Sequence, residues 1–169
     1  MVINLKIKPN PITTNILCQV VNELPNAYAI IKGENGIEGT VTFYDNAQGT
    51  LMLYFIKNLP KAQKCQGGIF GFHIHQGKHC TGTKEEPYAN ALGHYDPNNC
   101  EHPFHLGDLP PLFGFHQKAW ALVLIDKFTT KDIIGHTMII HAHADDFHTQ
   151  PSGNSGQMIA CGEIKKFEE

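Results

Sequence analysis

Ile37-Glu38-Gly39-Thr40-Val41-Thr42-Phe43-Tyr44, then Asp45-Asn46-Ala47-Gln48-Gly49, then Thr50-Leu51-Met52-Leu53-Tyr54-Phe55-Ile56-Lys57 is the stretch that decides the fold class. Two runs rich in Val, Thr, Ile and aromatic residues flank a five-residue segment that carries the turn formers Asp45, Asn46 and Gly49. Such runs fit half-buried strands, and the cluster between them marks a loop joining antiparallel neighbours. The same texture continues outward in both directions. Further strand candidates are residues 16–22 and 28–32 before the stretch, and 70–76, 119–125, 137–142 and 158–165 after it. Gly33-Glu34-Asn35-Gly36 and Asn58-Leu59-Pro60 punctuate them as turns. No segment reads as a convincing helix, although residues 129–134 fit a short helical turn. The expectation is an all-β, single-domain Greek-key β-sandwich or flattened β-barrel of about eight strands.

Two segments interrupt this rhythm. Residues 77–114 are rich in turn formers and histidine, and residues 145–156 are polar with Ser, Gly and Asn. Loops this long inside a compact domain usually carry function.

The 169 residues suit one domain with a real core, and 41% hydrophobic with 17% charged residues is a globular composition. No apolar run approaches the roughly 18–20 residues that span a bilayer. A net charge of −3, with thirteen scattered lysines and no arginine, speaks against a nucleic-acid partner. The N-terminus has no basic start, apolar core and small-residue cleavage site, so a cytoplasmic location is expected. A periplasmic or secreted location is the alternative if a leader has been removed. Residues 1–25 read as an N-terminal extension able to add a strand or cover a sheet edge, ahead of a domain at 26–169.

Eleven histidines are present, and their arrangement points to metal ions. His73 and His75 lie two apart on a predicted strand, so both emerge on one face. His141 ends another strand and meets them if the strands are neighbours. His94, His102, His105 and Asp108 offer three nitrogens and a carboxylate within fifteen positions, a donor set suited to a closed tetrahedral zinc site. Pro97, Pro103 and Pro110 stiffen that segment. A bland alternative exists for each part: two polar side chains on a wet strand face, or an exposed loop with incidental histidines. The two sets together, with His141, outweigh it.

At these residues the chain resembles the copper/zinc superoxide dismutase family. Gly71-Phe72-His73-Ile74-His75, Gly93-His94-Tyr95-Asp96-Pro97, His105-Leu106-Gly107-Asp108-Leu109-Pro110 and the run from Gly135 to His141 look like its motifs. So do Ala144-Asp145-Asp146, Gly153-Asn154-Ser155-Gly156 and Ala160-Cys161-Gly162, all in the family's order. The likeness covers residues 27–164 and is closer to bacterial members than to eukaryotic ones.

The resemblance implies one copper and one zinc per chain. It makes His73, His75, His94 and His141 the copper ligands, with His94 and His141 catalytic, and His94, His102, His105 and Asp108 the zinc ligands. His94 would bridge the two metals. Asp145 looks like the family's outer carboxylate, bonded to His73 and His102, with a plain loop aspartate as the alternative it outweighs. Cys80 and Cys161 match its disulfide. Cys18, Cys65 and Cys100 have no counterpart, and Cys100 is a candidate rival ligand for zinc or, more simply, a free loop thiol.

The implied activity is conversion of superoxide to dioxygen and hydrogen peroxide by copper redox cycling, with zinc structural. One departure stands out: Met158 occupies the position where the family has the arginine that guides the anion. Loss of that charge slows the reaction without removing its redox chemistry. The alternative reading is a copper-binding or buffering protein with little dismutase activity. The family's members occur as homodimers and as monomers, and either state fits this chain.

Overall fold

The computed structural model describes residues 11–64 and 67–168. Nine strands dominate it: β1 Ala27–Gly33, β2 Glu38–Asn46, β3 Gly49–Lys57, β4 Ile69–Phe70, β5 Phe72–His75, β6 Leu112–Phe113, β7 Lys118–Ile125, β8 Thr137–His141 and β9 Met158–Lys166. Seven form one sheet in the order β5-β8-β9-β1-β2-β3-β7, and β4 pairs with β6. The connections carry the chain from β3 to β5 at the far edge and back to β7 beside β3, so the sheet curls into a Greek-key half-barrel.

The hairpin expected from residues 37–57 is β2–β3, in register from Glu38 opposite Lys57 to Asn46 opposite Gly49. Alternation sends Val41, Phe43, Met52 and Ile56 inward, where they meet Ile31, Phe72, Ile74 and Ile140 in the main core. Full burial of such a side chain contributes about 1.5–3 kcal/mol. Asp45, at the end of β2, accepts from the hydroxyl of Thr50 at 2.8 Å and from the backbone N–H of Thr130 at 3.0 Å. It thereby ties the hairpin to the short helix α2, Thr130–Ile133. The helical turn expected at 129–134 is this helix, closed by a capping box between Thr129 and Asp132.

The strand expected at 16–22 is a correction. Those residues belong to helix α1, Pro11–Asn22. Pro11 opens it, where a fixed φ and a missing N–H are harmless. In the run to Asn22 the apolar pairs Ile16-Leu17 and Val20-Val21 recur four apart, the spacing of a helix rather than a strand. Gln19 fixes the helix to the β2–β3 turn, donating to the Asp45 carbonyl at 3.1 Å and accepting from Asn46 at 3.2 Å. The part of the N-terminal extension before Pro11, and Cys65, lie outside the described residues.

The predicted strand 70–76 is broken at Gly71 into β4 and β5, and the loop 77–114 contains a turn of 3-10 helix, Ala89–Ala91, and β6. No helix among the described residues is long and apolar enough to cross a membrane.

Candidate metal centre

The site is built on β5, whose four residues are all buried. On one side β5 pairs with β8, placing His73 opposite Ile139 and His75 opposite Thr137. His141 closes β8, and its N–H donates to the Gly71 carbonyl at 2.9 Å, which brings its ring level with those of β5. On its other side β5 collects the long loop. Tyr95 N–H donates to Ile74 O at 2.8 Å, Ile74 N–H to Gly107 O at 2.9 Å, and Gly107 N–H to Tyr95 O at 2.8 Å. These bonds set His94 beside His75 and Asp108 beside His73. Gly107 is required there, because a Cβ would lie 2.1 Å from the Ile74 carbonyl oxygen.

Two groups of donors result, and His94 belongs to both. One is His73, His75, His94 and His141; the other is His94, His102, His105 and Asp108. Within each group the donor atoms lie within 4.8 Å of one another. Asp108 Oδ1 is 2.7 Å from His94 Nδ1, and its Oδ2 is 3.2 Å from His102 Nδ1 and 3.3 Å from His105 Nδ1. His75 Nε2 and His141 Nε2 face each other at 3.2 Å.

The outward ring nitrogens are held by the protein. Asp145 accepts from His73 Nε2 at 2.8 Å and from His102 Nε2 at 2.9 Å, and its Oδ1 also takes the Phe147 N–H at 2.7 Å. His75 Nδ1 donates to the Leu92 carbonyl at 2.7 Å, and His141 Nδ1 to the Gly156 carbonyl at 3.1 Å. Each bond fixes a tautomer and leaves the other nitrogen with its lone pair toward the centre. Leu92 turns its carbonyl inward with φ at +62°, a conformation that non-glycine residues adopt at a cost of about 1–3 kcal/mol. Gly153, with φ at +64°, approaches Asp145 so closely that a Cβ would lie 1.9 Å from Oδ1.

Charge follows the same logic. Burial disfavours the imidazolium, so His73 and His75 are held below the ordinary histidine range and His141 is lowered to about 3. Burial alone would raise Asp145, but the bonds from His73, Phe147 and His102 outweigh it and hold the carboxyl well below the usual range. Asp108 is lowered in the same way, with His94 the strongest partner against burial. At neutral pH His73, His75 and His141 are therefore neutral and both carboxylates ionised, the protonation state that metal binding needs.

Met158 faces His141 across β8 and β9, at a register irregularity. Its side chain packs against the buried cluster of Ala91, Ile139 and Cys161. It lines a groove with Glu34, Glu85 and Glu86. Cys80 and Cys161 are bonded, with Cα atoms 5.6 Å apart, which ties the long loop to β9. Cys100 is exposed and free, and belongs to neither donor group; Cys18 is likewise exposed and free.

The structure adds residues that sequence reasoning missed. Gln150 clamps His102 on both sides, accepting its N–H at 3.0 Å and donating to its carbonyl at 2.7 Å. Lys127 donates to the carbonyls of His105 and Asp108. Leu92 and Gly156 act through backbone carbonyls. None of these has a sequence signature, because any residue supplies a carbonyl and Gln and Lys are ordinary surface residues.

Residues 37–164 match the copper/zinc superoxide dismutase (SODC) family. A superoxide dismutase [Cu-Zn] of Legionella pneumophila is 35% identical over 135 residues, spanning 75% of this chain and 77% of its own. That of Photobacterium leiognathi is 33% identical over 141 residues, spanning 75% and 78%. The solved structure of a Cu/Zn superoxide dismutase from Brucella abortus overlays with a TM-score of 0.69 at 27% identity, covering 82% of this chain and 99% of that one.

Proposed function

The chain belongs to the copper/zinc superoxide dismutase family, and from that premise we propose how its residues divide the work of a superoxide dismutase. The reaction takes two superoxide ions and two protons to dioxygen and hydrogen peroxide. The observation that carries the reading is a set of buried ring nitrogens with no hydrogen-bond partner: His73 Nδ1, His94 Nε2, His102 Nδ1 and His105 Nδ1. A buried polar atom without a partner costs free energy, and metal ligation satisfies all four. The donor types fit, since imidazole suits copper and three imidazoles with a carboxylate suit zinc.

In this reading copper would be held by His73, His75, His94 and His141, through the ring nitrogens that face one another, and zinc by His94, His102, His105 and the Asp108 carboxylate. When bound, copper supplies the one-electron couple that oxidises one superoxide and reduces the next, while zinc, which has no redox chemistry, supplies fixed charge and structure. His94 offers one ring nitrogen to each group, and its Nε2, when not ligating copper, would hold a proton and pass it to the forming peroxide. Asp145 keeps His73 and His102 oriented through one carboxylate, and so couples the two sites. His141 is held by the carbonyl of Gly156, a residue that lines the groove beside Met158.

Met158 makes this enzyme slow. A thioether offers superoxide neither charge nor a strong hydrogen bond, and Glu34, Glu85 and Glu86 along the same groove repel an anion. Residues 26–169 constitute the dismutase domain of this reading, which is compatible with a homodimer or a monomer; sedimentation velocity distinguishes them. The Cys80–Cys161 bond favours an oxidising compartment, periplasmic or secreted, over the cytoplasm.

The test is superoxide dismutation per bound copper, on protein loaded with copper and zinc and checked by elemental analysis. Turnover that His141→Ala abolishes supports the reading. Full copper occupancy with negligible turnover would transfer it to copper buffering.

A further inference from the structure

Lys127 stands outside both donor groups, two residues beyond the end of β7. Its ammonium reaches the turn His105-Leu106-Gly107-Asp108 and donates to the His105 carbonyl at 3.0 Å and to the Asp108 carbonyl. Those two residues are the first and last of a four-residue turn, which the Asp108 N–H closes onto the same His105 carbonyl at 3.2 Å. The middle of the turn is anchored separately, by the bonds of Gly107 to Ile74 and Tyr95. One lysine therefore holds both ends of a turn whose ends carry two donors of one group.

We propose that Lys127 is a positioning residue for zinc, setting the spacing between the His105 and Asp108 backbones so that both side chains reach one ion. The inference rests on reading His94, His102, His105 and Asp108 as the zinc group. An ammonium is suited to this role because it has three donors, so it serves two carbonyls at once, and its bonds are charge-assisted. A positive charge near a dication also opposes binding. Here two carbonyl dipoles receive the ammonium, and the Asp108 carboxylate lies among the donors, so positioning outweighs repulsion.

The test uses full-length protein and two probes, zinc in competition with a chelator and cobalt(II) absorption as a reporter of ligand geometry. His105→Ala identifies which cobalt signal belongs to this group. Lys127→Met is expected to weaken zinc by about tenfold, the low end for loss of an outer-shell contact, and to shift the cobalt bands while leaving copper affinity unchanged. Lys127→Arg, which keeps charge and donors, recovers most of the loss. Lys127→Gln, which keeps a donor, falls between and serves if Lys127→Met does not fold. Equal or tighter zinc binding in Lys127→Met overturns the proposal, as does an equal loss of both metals with a lower Tm of the metal-free protein. Wild-type protein that takes up no cobalt or zinc at His105 overturns the zinc reading beneath it.

Discussion

The two donor groups share His94 but are built by opposite means. His73, His75 and His141 stand on β5 and β8, where sheet register and period-two alternation put them on one face. His102, His105 and Asp108 lie between the Ala89–Ala91 turn and β6, in a stretch that belongs to no helix or strand. Their positions depend on individual bonds: Asp145 and Gln150 at His102, Lys127 and Gly107 at the His105–Asp108 turn. The strand-borne group is preorganised by cooperative backbone pairing, whereas the loop-borne group is assembled from side-chain contacts, each of which can be removed alone. Asp145, itself outside both groups, holds a member of each, His73 and His102.

Acid should break the comparison most strongly, on the strand side. His141 has a pKa of about 3 when folded, against about 6.5 for a free histidine. Above pH 6.5 both states are neutral there and the residue contributes nothing. As pH falls from 6.5 toward 3, the unfolded chain binds a proton that the folded one refuses, so stability of the metal-free protein drops. For this residue alone the loss is on the order of 4 kcal/mol by pH 3, and His73 and His75 act in the same direction. Denaturant titrations of metal-free protein at pH 7 and 4 measure it; an unchanged midpoint would refute the account of burial.

Next comes Asp145→Ala, which should lower affinity for both metals, by roughly 10 to 100-fold each, because it frees one ring in each group. Competition titrations with each metal check this, and loss of one metal only would show that the groups are independent. Met158→Arg should raise the dismutation rate about tenfold at low ionic strength and make it fall with added salt, as pulse radiolysis or stopped-flow assays can resolve. A rate indifferent to the new charge would mean that the groove beside His141 is not the route of entry. The smallest effect is expected from Gln150→Ala, a several-fold loss of zinc affinity with copper affinity unchanged, since the histidine keeps its bond to Asp145.

Legibility in the sequence followed the same division. The β2–β3 hairpin, β7, β8 and β9 were readable because half-buried strands alternate in composition. The strand expected at 16–22 failed because apolar content was weighed ahead of spacing: Pro11 opens the helix and the apolar pairs recur four apart, while the hold of Gln19 on the β2–β3 turn has no sequence pattern. The candidate donors were legible because histidine and aspartate at those spacings are chemically unusual. Gln150, Lys127 and the Leu92 carbonyl were not, because they act through geometry rather than through a distinctive functional group.

By itself the sequence determined the all-β class, the inventory of candidate metal donors and the absence of any arginine. These properties belong to residue type and to spacing along a strand, which local chemistry dictates. Only the tertiary structure decided which nitrogen of each ring is free, which carboxylate oxygen meets which ring, and that one lysine joins the carbonyls of His105 and Asp108. Those outcomes depend on contacts between residues far apart in the chain, where direction and distance are set by packing and leave no trace in local composition.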